Sequence, residues 1–287
     1  MWQFANGVEW TWGQRTYLMG VLNVTPDSFS DGGQFSSVET ALVQAQTMVH
    51  GGADVLDIGG ESTRPQVEPV LLSEEMSRVV PIIQAIRAGS AACLPLTVPI
   101  SIDTTKAAIA QAAIAAGANI VNDISGALFD PAMLPTVAEL GVPIVLMHSR
   151  GTPKTMQQLT QYGDLMGEIY EFLARRVEAA IAAQISPAHI AIDPGIGFAK
   201  TAAQSLEILR QLPQLKSLGC PILVGVSRNS FIGHILNQPD PKRRVWGTAA
   251  ACYAAIANGA DLLRVHDVPE LYDVCRVADA IVRDGDR

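Results

Sequence analysis

Short apolar runs rich in β-formers alternate with helical patterns eight times along the chain. The runs are Tyr17 to Asn23, Val55 to Ile58, Pro99 to Asp103, Ile120 to Asp123, Pro143 to Met147, Ile190 to Asp193, Ile222 to Gly225 and Leu262 to Val265. In the first interval Val38, Leu42, Ala45 and Val49 fall on one helical face, Ser36 and Glu39 have the spacing of a capping box, and Gly51-Gly52 ends the helix. Later helices are predicted at Leu72 to Ile86, Thr105 to Ala116, Pro131 to Leu140, Leu165 to Ala183, Ala202 to Leu212, Arg243 to Asn258 and Pro269 to Arg283. Strict strand-helix alternation implies parallel strands in a buried sheet. Ahead of the first unit, Val8 to Trp12 and Thr16 to Met19 flank Gly13-Gln14, which predicts a short N-terminal β-hairpin at the bottom of the fold.

A weak internal repeat narrows the architecture. Gly52-Ala-Asp-Val-Leu-Asp57, Gly117-Ala-Asn-Ile-Val-Asn122 and Gly259-Ala-Asp-Leu-Leu-Arg264 share one helix-stop, turn and strand pattern, each ending on a polar residue. Asp57, Asn122 and Arg264 thus stand in one register at the carboxyl ends of their strands, where a (β/α)₈ TIM barrel builds its active site. An open doubly wound sheet would carry a Gly-rich loop after its first strand, and that loop is absent. The expectation is a single (β/α)₈-barrel domain over residues 1–287.

Composition sets the surroundings. The 287 residues are 48% apolar, enough for one sizeable core, and the net charge of −8 without a basic run argues against nucleic acid or an anionic membrane as partner. Cys93, Cys220, Cys252 and Cys275 are dispersed, with no thiolate metal motif. No signal-like start or membrane-length apolar stretch is seen, so a cytoplasmic protein is expected.

Most irregular polar sequence follows the strands, at 23–33, 57–65, 103–105, 122–126, 147–153, 193–198, 225–230 and 264–266. Taken singly, an Asp or Asn at a strand end serves as readily in a cap or Asx-turn as in chemistry. Their coincidence on one rim points to a site. Arg264 and His266 share a strand face and, with Thr63 and Arg64, suit an anion pocket, the structural alternative being an Arg264 salt bridge to Asp57 or Glu61. Asp103, Asn122 and Asp193 suit a flat heterocycle, because a carboxylate accepts two parallel N–H bonds from an aminopyrimidinone edge. Asn23 and Asp57 are oxygen donors for a Mg²⁺ held mainly by a ligand's phosphates. The Gly195-Ile-Gly-Phe-Ala-Lys200 segment lacks the ending of a phosphate loop and is read as a strand-to-helix turn.

Together these segments, from Met19-Gly-Val-Leu-Asn-Val-Thr-Pro-Asp-Ser-Phe-Ser-Asp-Gly-Gly33 to Arg264-Val-His-Asp267, resemble the dihydropteroate synthase family over nearly the whole chain. The resemblance implies condensation of 7,8-dihydropterin pyrophosphate with 4-aminobenzoate, assisted by Mg²⁺, in a homodimer formed around Arg243 to Asn258. It implies pterin contacts from Asp103, Asn122, Met147, Asp193, Phe198 and Gly225. Pyrophosphate falls to Asn23, Thr63, Arg64, Arg264 and His266, with Mg²⁺ near Asn23, and aminobenzoate to Phe29, Pro65, Ser227 and Arg228. Asp103, Arg264 and His266 are the residues expected to carry the chemistry.

One position departs from the family pattern. Ser-Arg-Lys is usual after strand seven, where this chain has Ser227-Arg228-Asn229. Asn229 is shorter and uncharged, so it supplies no cation near both substrates. The alternatives are a pterin-binding homologue with impaired turnover and, from another class, a pterin-dependent corrinoid methyltransferase. The latter needs no pyrophosphate pocket.

Overall fold

The computed structural model describes residues 1–4, 7–25, 34–62, 68–90 and 93–283, without the side chains of 34–37. Its main sheet is parallel and eight-stranded. In chain order the strands are β3 (Tyr17–Asn23), β4 (Val55–Gly59), β5 (Ile100–Asp103), β6 (Ile120–Asp123), β7 (Ile144–Met147), β8 (Ile190–Asp193), β9 (Leu223–Val224) and β10 (Leu262–Val265). They pair as β8-β7-β6-β5-β4-β3-β10-β9. A parallel bridge from Ile192 to Ile222 spans the remaining gap between β8 and β9, closing the barrel.

Helices α1 (Gln34–His50), α2 (Leu72–Ala88), α3 (Ala107–Ala115), α4 (Met133–Leu140), α5 (Leu165–Ala182), α6 (Ala202–Gln211), α8 (Val245–Ala257) and α9 (Val268–Val282) follow successive strands. A short α7 (Ser230–Ile235), not predicted from the pattern, precedes α8. Alternate strand residues divide between two cores. Leu56, Ile58, Ile100 and Ile102 face the helices, whereas Met19, Val55, Ile120, Val145 and Leu262 fill the lumen. Burial on both faces explains why the strands read as continuous apolar runs.

Two local expectations are corrected. The hairpin pairs β1 (Trp2–Gln3) with β2 (Glu9–Trp10), not Val8 to Trp12 with Thr16 to Met19. Both edges of Tyr17–Asn23 are taken by β4 and β10, which leaves no ladder for a hairpin partner. Ser36 lies inside α1, which begins at Gln34, so it is not the cap. The reciprocal capping box occurs instead on α6, between Thr201 and Gln204.

The hairpin floors the barrel with stacked aromatics. Trp2 and Trp10 lie 5.7 Å apart, and Trp10 and Tyr17 4.7 Å. Trp2 also donates Nε1–H to the Ala188 carbonyl at 2.9 Å.

The repeat acquires a physical reason at each position. Gly52, Gly117 and Gly259 adopt φ of 101°, 116° and 95°, a backbone region that L side chains rarely enter. The third residue accepts from the neighbouring strand's backbone: Asp54 from Leu18 N at 2.8 Å, Asn119 from Ile100 N at 2.9 Å and Asp261 from Ile222 N at 3.0 Å. Arg15 and Arg87 brace the first two of these acceptors. The sixth residue points into the barrel mouth. No helix among the described residues is long and apolar enough to cross a membrane.

Candidate active site

Asp57, Asn122 and Arg264, the sixth residues of the three repeats, meet one another at the carboxyl end of the barrel. Arg264 donates from Nε to Asp57 Oδ2 at 2.6 Å and from Nη2 to Asp103 Oδ2 at 2.7 Å. Asn122 Nδ2 donates to the same Asp57 oxygen at 3.2 Å. The salt bridge considered as the alternative for Arg264 is therefore present, to Asp57 and also to Asp103. Glu61 instead pairs with Lys106 at 2.5 Å, which is shared with buried Glu75. Arg264 keeps Nη1 without a partner among the described residues.

Two buried carboxylates against one guanidinium leave the cluster short of positive charge. Asp103 is pushed up to about 7, first by burial, with Arg264 opposing and Asp57 reinforcing the shift. Asp193 is raised to about 6 by burial, opposed by the Gly195 N–H that it accepts at 2.7 Å and by the charges of Lys200 and Arg264. The guanidinium of Arg264 is held still more firmly protonated than usual, the pull of Asp57 and Asp103 outweighing the cost of burial. Asp103, Asn122 and Asp193 together offer a buried bank of oxygen acceptors, with Met147 buried and Phe198 half-buried on neighbouring segments. Gly225 lies beside Arg264, and a Cβ added there would make ordinary van der Waals contact with the arginine's Cβ at 3.9 Å.

Ser227 ties the ends of β9 and β10 together. Its hydroxyl accepts from His266 N at 3.1 Å and lies 3.0 Å from His266 Nδ1. The hydroxyl can donate to Nδ1 or accept from it, according to the tautomer of the imidazole. Arg228, at a φ of 59°, is held by both oxygens of Asp267, and Arg244 donates from Nη1 to the Arg228 and Asn229 carbonyls at 3.0 and 3.3 Å. The Asn229 side chain is engaged locally at both ends. Its Oδ1 accepts from Phe231 N at 3.3 Å as the cap of α7, and its Nδ2 donates to the Ile196 carbonyl at 3.3 Å.

Asn23 stands half-buried at the end of β3, beside Gly59. Its amide oxygen is of the ligand class that Mg²⁺ takes, and no group of three His, Cys, Asp or Glu that could hold a metal ion is found among the described residues. Asp57 is fully buried, with Oδ2 accepting from Arg264 and Asn122 and with Oδ1 left without a hydrogen-bond partner among the described residues. Phe29, Thr63, Arg64 and Pro65 lie outside the described residues.

Sequence reasoning gave no role to Lys200 and His148. Lys200 Nζ is buried, 2.9 Å from both His148 Nδ1 and the Phe198 carbonyl. Burial lowers the lysine to about 7 and, with Lys200 and Arg150 nearby, the histidine to about 2. The available signal was a lysine closing a glycine-punctuated turn, with φ of 66° at Gly195, 87° at Gly197 and 52° at Ala199. That turn runs from β8 to α6, as expected of residues 195–200.

Known proteins resemble this chain in sequence and fold. A family profile described as pterin binding enzyme matches residues 19–266. The dihydropteroate synthase of Synechocystis sp. is 59% identical over 272 residues, which cover 95% of this chain and 92% of the relative. The structure of a dihydropteroate synthase from Clostridium difficile, obtained in the presence of pteroic acid, superposes with a TM-score of 0.89 at 42% identity, covering 96% of this chain and all (100%) of that one. That of the Xanthomonas albilineans dihydropteroate synthase with 4-aminobenzoic acid gives 0.85 at 43% identity, covering 93% of each chain. With a match that runs from the first barrel strand to the last, the chain belongs to the pterin-binding enzyme family, and within it to the dihydropteroate synthases.

Proposed function

We infer that this chain joins 6-hydroxymethyl-7,8-dihydropterin diphosphate to 4-aminobenzoate, giving 7,8-dihydropteroate and pyrophosphate in cytoplasmic folate synthesis. The observation that carries the reading is the buried contact of Asp57, Asp103, Asn122 and Arg264 at the barrel mouth, in a chain similar to synthases along nearly all its length.

The arylamine nitrogen attacks the pterin methylene, the carbon–oxygen bond to diphosphate breaks, and diphosphate departs with the electron pair. The new ammonium then releases its proton to solvent. No Ser-His-Asp or Cys-His device is required, since the amine is already nucleophilic. Positive charge grows on the pterin as the bond loosens, and Asp103 is the fixed negative group that meets it. N–H donors of the bound ring favour the charged form of Asp103 against the burial that raises it. Met147, Phe198 and Gly225 pack around the ring held by Asp103, Asn122 and Asp193.

The diphosphate is assigned to Asn23, Arg264 Nη1 and His266, together with Thr63 and Arg64. A Mg²⁺ held by Asn23 and the diphosphate's own oxygens would neutralise charge on the leaving group. Ser227 and Arg228, with Phe29 and Pro65, bound the aminobenzoate. A homodimer forms on the α7–α8 face, where Ile235, Leu236 and Trp246 stand 57%, 50% and 76% exposed.

The test is release of pyrophosphate matched by dihydropteroate, using the full chain with both substrates. Tight pterin binding with no product over a long incubation would mark a pterin-binding homologue in which Asn229 has cost turnover. Methyl transfer to a corrinoid without pyrophosphate would sink the synthase reading.

A further inference from the structure

Asn122 is the neutral member of the acceptor bank, and a primary amide can offer a ligand either its oxygen or its NH₂. Asp57 decides between them. Its Oδ2 accepts from Arg264 Nε at 2.6 Å while also meeting the Asn122 amide at 3.2 Å. An oxygen already accepting from a guanidinium N–H at that distance carries no proton, so only the NH₂ end of Asn122 can face it. The Asn122 oxygen is thereby turned away from Asp57, and it has no hydrogen-bond partner among the described residues. A flipped amide would set two oxygens against each other inside the barrel.

The frame around this contact is stiff. Asp57 and Asn122 lie on β4 and β6, with β5 between them. Ser101, the register neighbour of Asp57 on β5, is a small, fully buried side chain that leaves the two in reach. Asp103 is the register neighbour of Asn122.

We propose that Asp57 is a specificity-determining positioning residue: by fixing the Asn122 amide oxygen-outward, it adds a directed hydrogen-bond acceptor to those of Asp103 and Asp193 on this wall. The wall then selects a ring edge made of N–H donors, the 2-aminopyrimidinone, over its 2-oxo counterpart. This rests on the assignment of the pterin to Asp103, Asn122 and Asp193. An oxo group brought against the Asn122 oxygen leaves two buried acceptors unpaired, a mismatch by which hydrogen-bonding sites reject analogues strongly.

The probes are 6-hydroxymethylpterin and 6-hydroxymethyllumazine, which differ as amino against oxo at C2, titrated by ligand fluorescence into the full-length protein and its variants. Wild type is expected to prefer the amino ligand by on the order of 100-fold. Asp57→Ala should cut that ratio at least about tenfold, and Asn122→Ala by a similar amount, with no further loss in the double variant because both remove one interaction. Asp57→Asn should keep most of the ratio, since an amide oxygen can occupy the place of Oδ2 and still accept from both donors. An unchanged ratio in Asp57→Ala would overturn the proposal. So would equal losses in Asp57→Ala and Asp57→Asn, which would assign the effect to charge on Arg264. If Asp57→Ala does not fold, the contrast between Asn122→Ala and Asp57→Asn decides, and equal ratios in those two overturn it. A wild type that binds neither probe would instead overturn the assignment of the pterin site.

Discussion

The two ends of the barrel use the same repeat in opposite ways. At the floor, Asp54, Asn119 and Asp261 each accept from one neighbouring strand's backbone, so each of these acceptors is satisfied by the strand next to it. At the mouth, three residues further along, Asp57, Asn122 and Arg264 bond to one another across the lumen. Local satisfaction stabilises a fold and adds up site by site. Mutual satisfaction couples side chains, so no member changes without altering what the others present.

The largest expected effect breaks the mouth alone. Asp103→Asn should leave the melting temperature close to wild type and lower kcat by about 10²- to 10³-fold, because a neutral amide meets the growing pterin charge poorly. Steady-state rates beside a thermal melt check this, and a wild-type rate would remove Asp103 from the chemistry. The same cluster sets a pH dependence. Asp103 and Asp193, raised to about 7 and about 6, take up protons earlier on acidification than ordinary carboxyls. Pterin affinity should therefore fall as pH drops through this range, and a flat titration from pH 8 to 5 would contradict it.

Breaking the floor should reverse the pattern. Asn119→Ala strips the acceptor from Ile100 N and Arg87 Nη2 and should cost about 2 kcal/mol, read by denaturant unfolding. The kcat/KM of the remaining folded enzyme should be unchanged, and a selective loss of activity would show that the two ends are not separable. The smallest effect sharpens the comparison at the rim. Asn229→Lys restores a cation between the substrates and should raise turnover and lower the aminobenzoate KM several-fold. It also removes the cap on α7, at about 1 kcal/mol of stability. A variant no faster than wild type would free the missing lysine from blame.

Periodicity and punctuation carried the fold. Runs of two-sided apolar residues located all eight strands, and the repeat glycines marked turns whose positive φ the structure displays. Short-range competition accounts for the misses. The Gly13-Gln14 turn signal suggests a hairpin there, although the second hairpin strand returns to Trp2–Gln3, and α7 is too short to show a period. At the site, the ring of polar strand ends was visible because polar residues inside a barrel need a reason. Their partners were not, since Arg264 meets Asp57 and Asp103 across 207 and 161 residues of sequence. Only barrel closure determines which acid lies opposite which base.

The aromatic floor has a spectroscopic consequence. Of the four tryptophans, Trp2, Trp10 and Trp12 are clustered beneath the barrel and Trp246 stands on the outer helical face. Intrinsic emission is thus a signal from the floor and from the outside of the protein, with no reporter at the mouth. The change of that signal on heating times the moment when the base of the barrel opens.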